Sequence, residues 1–193
     1  MAVDAFAETL AAAQAGDESA FTTLFRALNP AVVRYLTVLC GSMGGSTMAE
    51  DLAGETWIAA LRTFATFEGD ERALRSWLLT IARARWVDAV RASARRPELV
   101  TDTTPDARAP DDVEAQVEIG FTTDWALSVI ATLPPDQAEV VTLRVVGQLD
   151  VPEVAALTGK TDNHVRVLTH RGLKRLAKLL GEQGLLAAQQ KQL

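Results

Sequence analysis

Residues 149–180 read LDVPEVAALTGKTDNHVRVLTHRGLKRLAKLL, and the fold is decided by how this stretch is read. Its periodicity predicts a short helix, a tight turn at Thr158-Gly159-Lys160 and a second, longer helix. Asp150 is placed to cap the first helix, whose inward positions are Val151, Val154, Ala155 and Leu157. Gly159 suits a left-handed residue ending that helix, and Thr161 suits the N-cap of the next. The second helix turns Val165, Leu168, Gly172 and Leu176 inward. Its outer surface carries Asn163, His164, Arg166, His170, Arg171, Lys174, Arg175 and Lys178. This is the pattern of a helix-turn-helix whose second helix suits a DNA major groove. Any short amphipathic helix pair imitates it, so the rest of the chain has to decide its use.

The chain has 193 residues, enough for one or two domains with a real core in each. Ala is plentiful and β-branched runs are scarce, which predicts an all-α protein. A net charge of −6 argues against a generic nucleic-acid binder, but the charge is segregated. Seven basic residues lie between Arg72 and Arg96 against the single acid Asp88. Six lie between Lys160 and Lys178 against Asp162, while Glu98 to Asp124 holds eight acids and only Arg108. The single cysteine, Cys40, forms no internal disulfide, fits a reducing cytoplasm and sits on an apolar helical face with Tyr35, Leu36 and Leu39. No apolar run reaches the roughly 18 residues of a membrane span, and no signal peptide opens the chain.

From the N-terminus, the pattern predicts a helix over 3–15 broken at Gly16, then one capped by Asp17 with Ala20, Phe21, Leu24, Phe25 and Leu28 buried. Asn29-Pro30 reads as a boundary before a third helix from Ala31 to about Cys40. Gly41 to Ser46 reads as a loop, and Thr47 with Glu50 as a capping box opening a helix to about Phe64. Trp57, Leu61 and Phe64 make one core stripe of that helix. After the loop 66–70, Asp70 caps a helix to about Arg95 whose core face is Leu74, Trp77, Leu78, Ile81, Val87 and Val90. Residues 98–121 are acidic, contain Pro105 and Pro110 and lack helical periodicity, so they read as a flexible linker. A helix over 124–132 follows, then one opened by Pro134-Pro135 and ended by Gly147, with Val140, Val141, Leu143 and Val146 apolar. Gly181 is expected to end the long helix, leaving a frayed tail.

Two stretches of the first half, EDLAGETWIAALRTFATFEGD (50–70) and RSWLLTIARARWVDAVRASARRP (75–97), resemble region 2 of bacterial sigma factors. The stretch ATLPPDQAEVVTLRVVGQLDVPEVAALTGKTDNHVRVLTHRGLKRL (131–176) resembles region 4. Both, in this order and spacing, are similar to an extracytoplasmic-function type sigma factor of RNA polymerase, with VRVLTHRGLKRL closest to actinobacterial members. The resemblance implies two small helical domains joined by a flexible acidic linker: a region 2-like domain over 1–97, the linker over 98–121, a region 4-like helix-turn-helix domain over 122–181 and a tail over 182–193. Three positions depart from the family: Gly54 where Gln is common, Lys160 where the turn usually carries an apolar residue, and Leu168 where a basic one is common.

Asp51, Glu55 and Arg62 share a helix face by their spacing; the resemblance implies that they bind the clamp helices of the polymerase core, the alternative being a solvated face. The loop 67–72 corresponds to the family's pocket for a flipped base of the −10 element. There Phe67 suits stacking or the core, Glu68 suits base amino groups, and Asp70 suits either those or a helix cap. Arg75, Arg83, Arg85, Arg91, Arg95 and Arg96 form a basic line suited to DNA phosphates, with Trp86 open to stacking. Toward the −35 element, Asn163 suits adenine and Arg166 guanine, while His170, Arg171 and Lys174 suit phosphates. Thr161 and Asp162 stand at the helix start, where Asp162 complements the helix dipole or accepts from cytosine.

The implied partners are core polymerase through its clamp helices and flap, promoter DNA and an anti-sigma factor, with no membrane. No metal cluster, phosphate loop or nucleophile–His pair is present, so neither cofactor nor bond chemistry is expected. The implied function is promoter recognition and initiation as an alternative sigma factor. The alternative is a two-domain helix-turn-helix regulator acting without core polymerase.

Overall fold

The computed structural model describes residues 3–41, 45–95 and 123–190. The acidic segment 98–121, Arg96 and the last three residues lie outside them. Among the described residues the chain is all-helical: α1 (Val3–Gln14), α2 (Glu18–Cys40), α3 (Gly45–Leu61), a 3-10 turn at Phe64–Thr66, α4 (Glu71–Ala94), α5 (Thr123–Ala131), α6 (Pro135–Val145), α7 (Val151–Thr158) and α8 (Asp162–Gln190). None of these helices is long and apolar enough to cross a membrane.

The first block, α1–α4, is built around α2. Asp17 caps it by accepting from the Ser19 and Ala20 amides at 2.8 and 3.0 Å. The Asn29-Pro30 boundary does not occur: α2 runs unbroken through Pro30. Proline inside a helix removes one hydrogen bond and crowds the preceding turn, at about 3 kcal/mol. Leu24, Leu28, Val32, Tyr35 and Leu36 are buried along one stripe spanning both sides of Pro30, and that shared face offsets the local cost. The helix α3 begins at Gly45, so Gly45 and Ser46 are not loop, and Thr47 and Glu50 lie within the helix instead of forming a capping box. Trp57 and Phe64 are core, each meeting the Phe21 ring edge-on at 5.8 and 5.7 Å. Trp57 Nε1 donates to Asn29 Oδ1 at 2.9 Å, which satisfies the indole. Cys40 is fully buried, and burial pushes its thiol up.

In the second block α8 lies against α6, and the contact demands Gly172. A Cβ there would sit 2.6 Å from Val141 Cγ2. Gly181 does not end α8, which continues to Gln190. A mid-helix glycine costs about 1 kcal/mol relative to alanine, which weakens a helix without stopping it.

The two blocks share their core. Leu79 and Leu78 of α4 belong to one buried cluster with Val140, Leu143 and Leu149, and Val38 of α2 packs with Leu127, Ile130, Leu133 and Val141. Leu79 is therefore a core position that the expected α4 face omitted, while Val87 and Val90, expected in that face, are only half-buried.

Candidate nucleic-acid interface

The turn between α7 and α8 is assembled by local chemistry. Asp150 accepts from the Glu153 amide at 3.0 Å and Glu153 accepts from the Asp150 amide at 2.6 Å, a reciprocal capping box at the start of α7. Gly159 adopts φ 70°, ψ 20°, the left-handed exit that reverses the chain. Thr161 Oγ1 then accepts from the His164 amide at 3.3 Å, opening α8. Lys160 at the turn is explained by its partner. Its side chain is only 16 % exposed and its ammonium donates to Asp136 Oδ1 at 2.8 Å. That hydrogen bond holds the Asp136 carboxyl below the usual carboxylate range. Lys160 thus ties the turn to α6, and Leu168 is core, so neither departure belongs to the outward face.

That face carries Thr161, Asn163, His164, Arg166, His170, Arg171, Lys174 and Arg175, all exposed. Asp162 lies 3.8 Å from the Arg166 guanidinium one turn on, a contact loose enough to leave Arg166 available. Beside Gln137 of α6, the side chains of Arg171, Lys174, Arg175 and Lys178 line a shallow basic hollow of about 550 Å³.

On α4 the basic line is arranged differently. Arg75 donates to Gln148 Oε1 at 2.8 Å and to Glu71 Oε1 at 2.9 Å. Arg83 Nε donates to Glu139 Oε1 at 2.7 Å, and the same oxygen accepts from the Tyr35 hydroxyl at 3.1 Å. Partial burial opposes the Arg83 charge, but the hydrogen bond and charge of Glu139 outweigh it and hold the guanidinium above its ordinary value. Burial first, and the Glu139 charge second, push Tyr35 well above its ordinary value, so it stays a donor. Arg85 and Trp86 are half-buried, with the Arg85 Nε and Trp86 Nε1 enclosed and without a partner among the described residues. Arg91 and Arg95 are exposed, Arg91 standing 3.9 Å from Asp88. Arg96 lies outside the described residues.

The loop before α4 is held from within. The Gln14 side-chain amide donates to the carbonyls of Phe64 and Phe67 at 2.9 and 2.7 Å. Phe67 is half-buried and packs on Trp77 with centroids 5.1 Å apart. Asp70 caps α4, accepting from the Ala73 amide at 2.8 Å, while Glu68 is exposed. Gly69 has φ 151° and its absent Cβ would meet Ala73 Cβ at 2.8 Å, so only glycine fits. A hollow of about 520 Å³ lies beside this loop, lined by Phe6, Gly69, Asp70, Arg72, Arg75 and Gln148.

The outer face of α3 holds Asp51 and Glu55, and Arg62 follows in the turn just past its end, all three exposed. Leu61, expected in the core, is 52 % exposed, and Ile58 beside it is 62 % exposed. Asp51, Glu55, Ile58 and Arg62 follow one another at helical spacing, so an apolar centre is flanked by charge. Ile58 and Leu61 thus form a small exposed apolar pair beside charged groups. The one-stripe reading of 57, 61 and 64 missed Ile58; its spacing from Glu55 and Arg62 was the available signal.

Residues 24–96 match the family Sigma-70 region 2, and residues 123–176 match Sigma-70, region 4. The chain is 36 % identical over 177 residues to the ECF RNA polymerase sigma factor BldN of Streptomyces coelicolor, covering 90 % of this chain and 65 % of that relative. It is 32 % identical over 169 residues to the ECF RNA polymerase sigma factor SigD of Mycobacterium tuberculosis, covering 86 % of this chain and 80 % of that one. Its fold resembles the sigma factor RpoE solved with the anti-sigma factor NepR from Bartonella quintana, with TM-score 0.61, 23 % identity, and coverage of 83 % and 96 %. CnrH in complex with the cytosolic domain of CnrY is similar at TM-score 0.58 and 21 % identity, covering 92 % and 98 %.

Proposed function

The chain belongs to the sigma-70 family, as a sigma factor of the extracytoplasmic-function type, and on that premise we propose how its surfaces divide the work of initiating transcription. The first domain, 1–97, docks on the clamp helices of core polymerase through α3. Ile58 and Leu61 provide the apolar centre, and Asp51, Glu55 and Arg62 fix the register by charge. The second domain, 122–181, lays α8 in the major groove of the −35 element, with Asn163 and Arg166 against base edges and His170, Arg171 and Lys174 against phosphates. It also meets the polymerase flap. The loop 67–70 and the line from Arg75 to Arg96 engage the −10 element, where an extruded base is held beside Phe67 and Glu68. Residues 98–121 tether the two. The factor carries out no bond chemistry of its own and acts in the cytoplasm, where polymerase and promoter are. An anti-sigma protein is the expected regulator, since the sigma factor RpoE of similar fold was solved with the anti-sigma factor NepR.

The observation that carries this reading is the pairing of two unlike surfaces on one chain: the charged-apolar face of α3 and the polar, basic face of α8. An operator-binding regulator needs only the second. Run-off transcription with core polymerase, with and without the chain, tests it. Promoter-specific transcripts are expected only when the chain is added, and identical output with and without it would refute the reading.

A further inference from the structure

Gln14 is the last residue of α1, a helix that lies ahead of the residues 24–96 matching region 2. Phe6, Leu10 and Ala13 are buried and dock α1 on the core, and Gln14 continues their face one turn on from Leu10. Its Nε2 donates to the Phe64 carbonyl at 2.9 Å and to the Phe67 carbonyl at 2.7 Å. An amide nitrogen has two protons, so both are used on one short segment. The Phe67 amide closes the same segment by donating to the Phe64 carbonyl at 3.1 Å. The contact touches neither neighbouring helix, since α3 ends at Leu61 and α4 takes its cap from Asp70. What Gln14 holds is the loop.

The Phe67 carbonyl matters most, because it shares a rigid peptide plane with the Glu68 amide. Holding that oxygen sets the plane from which Glu68 projects. Beyond Glu68 the chain is fixed again, by Gly69 at φ 151° and by Asp70 bonded to the Ala73 amide. The Phe67 ring is held by Trp77. Between these anchors stands Glu68, exposed.

We propose that Gln14 is a positioning residue for reading the −10 element: its double hydrogen bond presets the Phe67–Glu68 peptide and so aims Glu68 at one base. The inference rests on the reading of loop 67–70 as the −10 contact, and it adds a determinant from outside the region 2 match. A hydrogen bond to a base edge weakens steeply with distance and angle, so a fixed carboxylate suits one base and fails the others. A loose carboxylate adapts to several. Preorganisation by Gln14 therefore contributes to discrimination more than to binding as such.

The test is transcription by core polymerase with the full chain, on promoters carrying each base in turn across the −10 and −35 elements. Gln14→Met keeps the length of the side chain and removes both donors. Gln14→Glu keeps its size and turns carboxylate oxygens toward the two carbonyls. Urea midpoints and circular dichroism choose a temperature at which every variant is folded. The position that Glu68 reads is the one whose preference Glu68→Ala abolishes. There Gln14→Met should lower the ratio of output from the preferred to the next base by about three-fold or more, a good base contact discriminating by about ten-fold or more. Gln14→Glu should lower it at least as much, and −35 preferences should not change in either variant. In the Glu68→Ala background Gln14→Met should cause no further loss of preference, because it acts through that residue. A merely structural glutamine would lower output from all promoters alike with every preference intact, and that result overturns the inference. So does a loss of −10 preference that persists without the Glu68 carboxylate. If Glu68→Ala itself alters no −10 preference, the reading of the loop fails and this inference with it. A wild-type chain that gives no promoter-specific transcript refutes the sigma-factor reading.

Discussion

The helices α4 and α8 carry similar runs of basic residues, yet their surroundings are opposite. On α4, Arg72, Arg75 and Arg83 are each met by carboxylate or amide oxygens, two of them anchored across the block boundary to buried or capping groups. On α8, Arg171, Lys174 and Arg175 are exposed and have no ion-pair partner among the described residues. The contrast shows that basic residues counted along a sequence are not equivalent. One helix has its charge already engaged within the protein, and the other presents it to solution. It also shows why a net charge of −6 is compatible with DNA binding, since part of the acid is spent against the protein's own arginines.

The sharpest way to break this contrast is to remove one cation from each helix. Arg83→Ala leaves the Glu139 carboxylate enclosed with only Tyr35 as a partner. A loss of about 2–3 kcal/mol is expected in urea unfolding. Arg175→Ala removes a charge with no ion-pair partner among the described residues and should shift stability by less than about 0.5 kcal/mol. Equal losses would mean that the α4 pair is no more structural than a surface charge. Next in size is Arg166→Ala on α8, expected to weaken promoter use by about 1–3 kcal/mol and to relax one position of the −35 element. Quantitative transcription on a panel of single-base promoter variants reads both. A uniform loss across the panel would move Arg166 from base to phosphate.

These expectations draw on parts of the molecule that were unequally legible. The helix-turn-helix was readable because its determinants are local: Asp150, Gly159 and Thr161 each act within four residues, and each does what its type requires. Local signals also misled. Pro30, Thr47 and Gly181 look like punctuation, but an apolar stripe continuing past Pro30 overrides it, and α3 and α8 run through the other two. The face of α3 was half legible. Its charges stand out by spacing, whereas Leu61 reads as core because an apolar residue at helical period looks the same in sequence whether it is buried or exposed. Least legible was the boundary between the blocks. Leu79, Glu139 and Gln148 owe their roles to partners 73, 56 or more positions away, and no window of sequence contains such pairs.

A smaller effect separates positioning on DNA from reading it. Lys174→Ala should weaken binding to every promoter alike, by under about 1 kcal/mol, and lower the slope of log affinity against log salt by about one unit. Titrations at several salt concentrations with unrelated DNA as control decide it. An unchanged slope would mean that Lys174 is only solvated, and the description of α8 as the open helix would narrow to its first two turns.

Lys160 gives the finest test, because it departs from its basic neighbours in the second block and behaves like the arginines of α4. Its hydrogen bond lowers the pKa of Asp136, so this contribution is fully present above the unfolded carboxylate value of about 3.9 and is lost as pH falls through the lower folded value. Asp136 is 62 % exposed, so after allowance for solvent screening the pair is worth about half a kcal/mol. Asp136→Asn should therefore be slightly less stable than the wild type near neutral pH, with the gap closing as pH drops below the ordinary carboxylate range. Urea midpoints at a series of pH values measure that gap. A deficit that stays constant with pH would assign the effect to packing of the turn, and Lys160 would then be tied to α6 by its buried stem and not by its charge.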